Sequence, residues 1–320
     1  MRLTRRRFLG AAAATATLAV AGGGFWVRSS QKRAARLFRQ LVNDARRRVP
    51  VAPLRPDPGQ WPANAITVSW LGHATVLIDF YGLRILTDPV FGTRIGLSLG
   101  VGTMGPKRYV APALSLAELP PIDVVLLSHA HMDHMDLPSI NRFPAGTRAA
   151  TARTTSDLLA GTPLRKAIEL DWGESTLFKT DNGDLEVEAF EVKHWGRRWP
   201  NSLDRGYNGY LLSREGRSIV FGGDTAYTPL FERLRPRGPH AFAIMPIAAY
   251  NPWIRNHCTP EEAVVMAEKA GARHIVPVHH QTFRLSDEPM DEPIARLREA
   301  LLHEQDRLAL QEVGGSFTVA

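Results

Sequence analysis

His129-Ala130-His131-Met132-Asp133-His134 packs four groups able to hold a divalent cation into six residues. In an extended turn, His129 and His131 can direct both imidazoles at one ion. Asp133 and His134, after the chain bends, can reach a second ion nearby. Three further donors, His194, Asp224 and His279, lie far downstream. With His194 added to the first ion, His279 to the second and Asp224 as a bridging carboxylate, each ion gains four protein ligands. Imidazole and carboxylate suit zinc, and also manganese and iron, with a water or hydroxide between the two ions. Such a pair lowers the pKa of its water and offsets the charge that builds on a substrate under attack. One histidine alone would ordinarily be a hydrogen-bonded core or surface residue, but so many ligand types at strand ends argue for a metal site.

The elements that must position these groups are legible as short apolar runs. Ile66–Leu71, Thr75–Phe80 and Arg84–Thr87 read as an opening run of antiparallel strands. Ile122–Ser128 is a continuous apolar strand that runs into His129. Leu185–Lys193 alternates and stops at His194, Ser218–Gly223 stops at Asp224, and His274–Val278 stops at His279. In α/β folds the carboxyl ends of strands share one edge of the sheet, so ligands distant in sequence can converge there. Thr259-Pro260-Glu261-Glu262 is a capping box that starts a helix over Pro260–Lys269 and leaves His257 on the loop before it.

At 320 residues, 44% hydrophobic and 22% charged, the composition is that of a soluble globular protein, and a single α/β unit can reach this length. A single cysteine, Cys258, excludes an intrachain disulfide framework and an all-cysteine metal site. The net charge of +7 is local: residues 1–48 hold twelve Lys and Arg against one acid, Asp44, which leaves the rest of the chain at −4. Nucleic acid is therefore not expected as a partner. Thr4-Arg5-Arg6-Arg7-Phe8-Leu9-Gly10, followed by the weakly apolar run Ala11–Gly24 and the small-residue site Ala19-Val20-Ala21, reads as an export signal. It resembles the twin-arginine type, so export machinery of that kind is an expected partner and the periplasm the expected compartment. Leu9–Val27 is just long enough to remain as a membrane anchor. Residues 31–48 pattern as a basic amphipathic helix that could lie on anionic lipid or dock on the catalytic body. The Pro-rich stretch 50–62 follows as a linker or an extended lead-in. The expected organisation is a signal or anchor over 1–27, helix and linker over 28–62, and one catalytic domain over 63–320.

His129-x-His131-x-Asp133-His134, with His194, Asp224 and His279, resembles the metallo-β-lactamase fold. Trp70-Leu71-Gly72-His73-Ala74-Thr75, Leu86-Thr87-Asp88-Pro89-Val90-Phe91, Met104-Gly105-Pro106-Lys107-Arg108, Gly223-Asp224-Thr225 and Thr282-Phe283 narrow it. They are similar to the branch containing N-acylphosphatidylethanolamine-hydrolysing phospholipase D and its bacterial relatives. The resemblance implies a four-layer αβ/βα sandwich with a two-zinc site at the sheet edge. It further implies that Asp88 orients ligands from behind, that His73 is not itself a ligand, and that His257 faces the site, where it could protonate a departing alcohol. His280-Gln281, Ala226 and Asn251-Pro252-Trp253-Ile254-Arg255 depart from the branch's usual residues; they lie around the ligands and bear on the substrate.

The expected activity is zinc-dependent hydrolysis of a phosphodiester, a phospholipid of the N-acylphosphatidylethanolamine type, with Asp133, Asp224 and His257 closest to the chemistry. The apolar loop 91–104, with Ile95, Leu97, Leu99 and Val101, adds a surface for lipid. The competing activity is hydrolysis of a lactone or other carboxylic ester or amide on the same two-metal site. A membrane-associated binding protein that retains the site is the non-enzymatic reading. Nothing in the sequence speaks to oligomeric state.

Overall fold

The computed structural model describes Asp44 and residues 47–98, 102–199 and 202–320. The export signal and nearly all of the basic amphipathic stretch lie outside the described residues. The chain divides into two compact units, Met1–Arg48 and Val49–Ala320. In the first, the Arg47 guanidinium donates to the Asp44 carboxylate at 2.9 Å. In the second, the Pro-rich stretch is an extended lead-in held by backbone bonds: Ala111 N donates to Pro50 O at 2.8 Å and Leu54 N to Val313 O at 3.2 Å. Among the described residues no helix is long and apolar enough to cross a membrane.

Two sheets make the body. Strands β1 (Ile66–Gly72), β2 (Thr75–Phe80) and β3 (Leu83–Thr87) open the first. A short ribbon of β4 (Leu97–Ser98) and β5 (Thr103–Met104) then precedes β6 (Val124–Leu127), β7 (Arg148–Ala152) and β8 (Ile168–Leu170). The second sheet takes β9 (Ser175–Thr180), β10 (Gly183–Glu191), β11 (Asn208–Arg214), β12 (Arg217–Phe221), β13 (His240–Pro246) and β14 (Ala272–Val278). The last strand, β15 (Ser316–Val319), returns to the first sheet beside β1, giving the orders β15-β1-β2-β3-β6-β7-β8 and β14-β13-β12-β11-β10-β9. Each sheet is antiparallel on one side and parallel on the other: β3-β6-β7-β8 in the first and β12-β13-β14 in the second.

The alternation of side chains along the strands builds the layers. Tyr210, Leu212, Ile219, Phe221, Phe242 and Ile244 of the second sheet join Val68, Trp70, Ile78, Phe80 and Ile85 of the first in one buried cluster. Their neighbours Leu211, Val220, Ala243, Met245 and Ile275 point the other way, into a cluster with Ala263, Met266 and Ala267 of a helix over Pro260–Ala270 and Ile294 and Leu297 of another over Glu292–Ala300. Parallel strands need crossovers, and with the inner face taken by the opposite sheet those crossovers must cover the outer face. The result is the expected four-layer αβ/βα sandwich. Two strands end earlier than the sequence pattern suggested: β10 ends at Glu191 and β12 at Phe221, so His194 and Asp224 sit three residues past their strands on the same sheet edge.

The capping box forms as its sequence requires. Thr259 Oγ1 accepts from Glu262 N at 3.3 Å, and the Glu262 carboxylate accepts from Thr259 N at 2.9 Å. Gly271, at φ 83°, closes the helix in the left-handed conformation that glycine adopts without strain. Replacing Thr259 by alanine should cost about 1 kcal/mol and lower Tm by about 2 °C in a domain of this size. Calorimetry on the two proteins checks it.

Candidate metal centre

Past β6 the chain enters a turn in which His134 N donates to His131 O at 3.1 Å and Met135 N to the same oxygen at 2.8 Å. That turn brings His129 and His131 to one side and Asp133 and His134 to the other. Thr225 Oγ1 accepts from Lys193 N at 3.1 Å and Lys193 O from Ala226 N at 2.8 Å, which fastens the loop of Asp224 to that of His194. Gly223 makes the approach close. Its φ is 57°, and a Cβ there would stand 2.7 Å from Asn208 O and 3.0 Å from Ser128 Cβ.

The donors converge as two groups. His129, His131 and His194 each offer a ring nitrogen within 4.8 Å of the others; a carboxylate oxygen of Asp133 and ring nitrogens of His73, His134 and His279 gather within the same distance. Asp224 stands between the groups. Its Oδ2 is 3.1 Å from His134 Nε2, 3.2 Å from His279 Nε2, 3.8 Å from His194 Nε2 and 4.0 Å from His129 Nε2. His134 Nε2, His279 Nε2 and Asp224 Oδ1 are nonetheless buried without a hydrogen-bond partner. Close donors whose lone pairs aim past one another, at a shared point, are costly unless a cation occupies that point. The residues present therefore fit one or more divalent ions.

Electrostatics agree with that fit. Burial pushes His129 and His194 well below the usual imidazole range and His131 to about 4, so these rings are neutral at neutral pH with lone pairs available. In the second group burial is outweighed: the Asp224 and Asp133 carboxylates raise His134 well above its usual value and His279 to about 9. Burial would likewise raise Asp133 and Asp224, but the facing imidazoles hold both well below the carboxylate range. Two buried carboxylates thus collect positive charge, as protons where a cation is absent.

Asp88, at the end of β3, supports this group from behind. Its Oδ1 accepts from Ser128 N at 2.8 Å and its Oδ2 from Ser128 Oγ at 2.6 Å, while Oδ2 lies 2.6 Å from His134 Nδ1. A proton held on Nδ1 leaves Nε2 free to face Asp224. Asp88→Ala should weaken metal affinity about 10- to 100-fold, the usual effect of removing such a support. Competition with a chromogenic chelator measures it. His73 stands behind Asp133, with Nε2 3.0 Å from Oδ2, and is kept neutral by burial and by His279, its pKa near 3. His194 is oriented by Asn256, whose carbonyl lies 2.9 Å from Nδ1. His257 is buried, with Nδ1 3.9 Å from Asp224 Oδ2 and no hydrogen-bond partner at that atom. Cys258 turns away, donating to Pro246 O at 3.2 Å, and burial raises its thiol far above the usual range. His280 stacks on Trp70 with ring centroids 4.3 Å apart, so this imidazole fills the place of an aromatic ring.

Above the donors opens a cleft of about 510 Å³ whose floor includes His131, Asp133, Asp224, His257 and His279. Its walls carry Trp195, Arg197, Arg198 and Trp199, which the sequence reading did not assign to the site, and Trp253, from the segment 251–255 that it placed around the ligands. The signal was there in Trp195-Gly196-Arg197-Arg198-Trp199, directly after His194. Arg198 Nη1 donates to Ala130 O at 2.7 Å and Met135 O at 3.0 Å, which fixes a guanidinium against the histidine turn. The loop 91–104 is a different matter. Ile95 is buried against Val90 and Phe283 and offers nothing to a lipid; Leu99 and Val101 lie outside the described residues.

Residues 83–280 match the family model described as a beta-lactamase superfamily domain. An uncharacterised protein of Mycobacterium tuberculosis is 34% identical over 244 residues, 73% of this chain and 64% of its own length. The chain thus spans somewhat less than two thirds of that relative. N-acyl-phosphatidylethanolamine-hydrolyzing phospholipase D 1 of Caenorhabditis elegans is 30% identical over 261 residues, covering 76% of this chain and 72% of that protein. The metallo-beta-lactamase fold protein YhfI from Bacillus subtilis superposes with a TM-score of 0.55 at 14% identity, covering 80% of this chain and all of that one.

Proposed function

This chain belongs to the metallo-β-lactamase superfamily as a metal-dependent hydrolase, and we propose that its substrate is a phosphodiester, a phospholipid of the N-acylphosphatidylethanolamine type. The observation that carries the proposal is Arg198, a guanidinium fixed by two carbonyls on the wall of a cleft whose floor holds both donor groups. A fixed planar cation beside such a floor suits the phosphate of a diester. The worm relative, named for hydrolysis of such a lipid, supports the same substrate class.

His129, His131 and His194 would hold one zinc ion and Asp133, His134 and His279 a second, with Asp224 shared. Ions held there supply Lewis acidity and a water of lowered pKa. The chain's own residues do the rest. Asp224 fixes the separation of the two groups, and Asp88 fixes the His134 tautomer. Trp195, Trp199 and Trp253 exclude water from the bound diester and give its apolar part a surface. His257 is held neutral by burial, its pKa near 4, so it keeps a single ring proton. Giving that proton to a leaving alkoxide requires Nδ1 to take one up; Asp224 is held unprotonated, so the proton that balances the step is the one the attacking water loses on adding to phosphorus. Arg5-Arg6-Arg7-Phe8-Leu9 supports export by the twin-arginine route and action in the periplasm.

Zinc-loaded protein incubated with N-acylphosphatidylethanolamine should release phosphatidic acid and the N-acylethanolamine, read by mass spectrometry. Cleavage of aryl phosphodiesters without phosphatidic acid would remove the lipid. Ring-opening of lactones with no phosphate monoester from any diester would replace the reading altogether.

A further inference from the structure

The mouth of the cleft carries apolar side chains that the chemistry on its floor does not need. Trp199 is 46% exposed, Trp253 41% and Ile254 46%, and both tryptophans line the cleft. Leu203, 59% exposed, comes just after Ser202, whose N and Oγ bond back to the carbonyl and N–H of Trp199. The two loops are fastened at their bases, since His194 Nδ1 lies 2.9 Å from Asn256 O and the Trp195 and His257 rings meet edge to face with centroids 5.9 Å apart. Trp199 and Trp253 are thus presented from a braced rim, with the exposed Leu203 and Ile254 on the same two loops. Exposed apolar groups gathered around one opening mark an interaction surface, whereas scattered ones do not.

Charge indicates the partner. The residues after position 48 sum to −4, yet these loops and the neighbouring segment 281–287 carry Arg197, Arg198, Arg205, Arg255 and Arg284 against two acids, Asp204, which pairs with Arg197 at 3.5 Å, and Asp287. Indole rings that insert at headgroup depth, flanked by guanidiniums that remain in water, suit a bilayer with anionic headgroups. We propose that this rim docks on an anionic phospholipid surface, seating the cleft mouth on the bilayer so that a lipid headgroup enters without its chains crossing water. The docking goes beyond the hydrolytic reading and does not depend on it: the surface would bind vesicles whether or not the floor turns over their lipids.

Cys258 is the sole cysteine and is fully buried, so a cysteine introduced on the rim can be labelled alone. The full chain would carry a nitroxide at Leu203→Cys, at Ile254→Cys or, away from the cleft, at Leu302→Cys. Each would be mixed with vesicles of phosphatidylglycerol and phosphatidylcholine, and power saturation would be read against oxygen and a water-soluble relaxant. Labels at 203 and 254 are expected to gain oxygen and lose the aqueous relaxant on binding, while 302 remains aqueous. Trp199→Ala and Trp253→Ala are expected to weaken vesicle partitioning about tenfold each. Rim labels that stay aqueous while the chain sediments with vesicles would place docking elsewhere and overturn the proposal, as would a chain that does not bind vesicles. Insertion no stronger with phosphatidylglycerol than with phosphatidylcholine alone would overturn the anionic surface. None of these readings needs turnover, so a failed lipase assay and a failed docking assay remain distinct results.

Discussion

Asp224→Asn is expected to lower kcat/KM for diester cleavage at least ~1,000-fold and to strip most of the bound metal. The change keeps the side chain's shape and replaces one oxygen by an amide nitrogen, which cannot coordinate a cation. It also removes the negative charge that both donor groups share. Asp224 Oδ2 lies within 4.0 Å of ring nitrogens on His129, His134, His194 and His279, so this one side chain answers to both groups at once. Asp224 is also the leading cause that raises His279 towards 9, and the variant's His279 should titrate lower. Plasma mass spectrometry for metal and steady-state kinetics on zinc-supplemented protein read the two effects separately. A variant that keeps both its metal and its rate would show that the two groups do not work through a shared carboxylate.

His257 offers the contrast. Its Nδ1 is 3.9 Å from the same oxygen, but no carboxylate outweighs its burial, and its pKa falls to about 4. Removing it takes away a proton path and leaves both donor groups in place. Metal content therefore separates the two positions: a loss on changing Asp224, and little change on changing His257.

How much of this was legible in the sequence follows from what periodicity and spacing encode. The donor run 129–134 is local, so its division into two pairs could be read from the chain's bend. His194, Asp224 and His279 were found because apolar strands point at them, and the sandwich brings those strand ends to one edge. Strand ends were read two residues too long at Lys193 and Gly223: Lys193 pairs with Thr225 and Ala226 of the neighbouring loop, and Gly222 N still reaches Ile244 O of β13 although β12 has ended. Of the cleft walls, only the segment holding Trp253 was legible, and not its pairing with Trp199. Trp199 and Trp253 are far apart in sequence and acquire a common meaning only when His194 and Asn256 bring their loops together. Ile95 misled for the converse reason. An apolar residue in a loop reads the same whether it faces lipid or packs beneath its own loop, and here it packs on Val90 and Phe283.

Freed of metal, the protein is expected to lose stability steadily as the pH falls from 7 to 4. Burial depresses His73 and His280 from 6.5 to about 3, and holds His129, His131, His194 and His257 below their ordinary range as well. The unfolded chain takes up a proton at each of these rings near pH 6.5, whereas the folded chain resists until much lower pH. Each such group therefore contributes full stability above pH 6.5 and loses it as the pH falls towards its folded value, at about 1.4 kcal/mol per unit. His134 and His279 act in the opposite sense. Their folded values are raised, so their contribution is complete below pH 6.5 and fades only as the pH climbs, through about 9 for His279. They offset part of the acid loss, but the depressed rings outnumber them. A domain whose whole stability is of order 5–15 kcal/mol should then unfold in mild acid. Bound metal favours the folded state by mass action and requires the ring nitrogens unprotonated, so the loaded protein's transition should lie at lower pH. Urea melts at a series of pH values, with and without chelator, test the ordering. Coincident acid transitions for the two forms would mean that these buried rings do not take part in holding a metal.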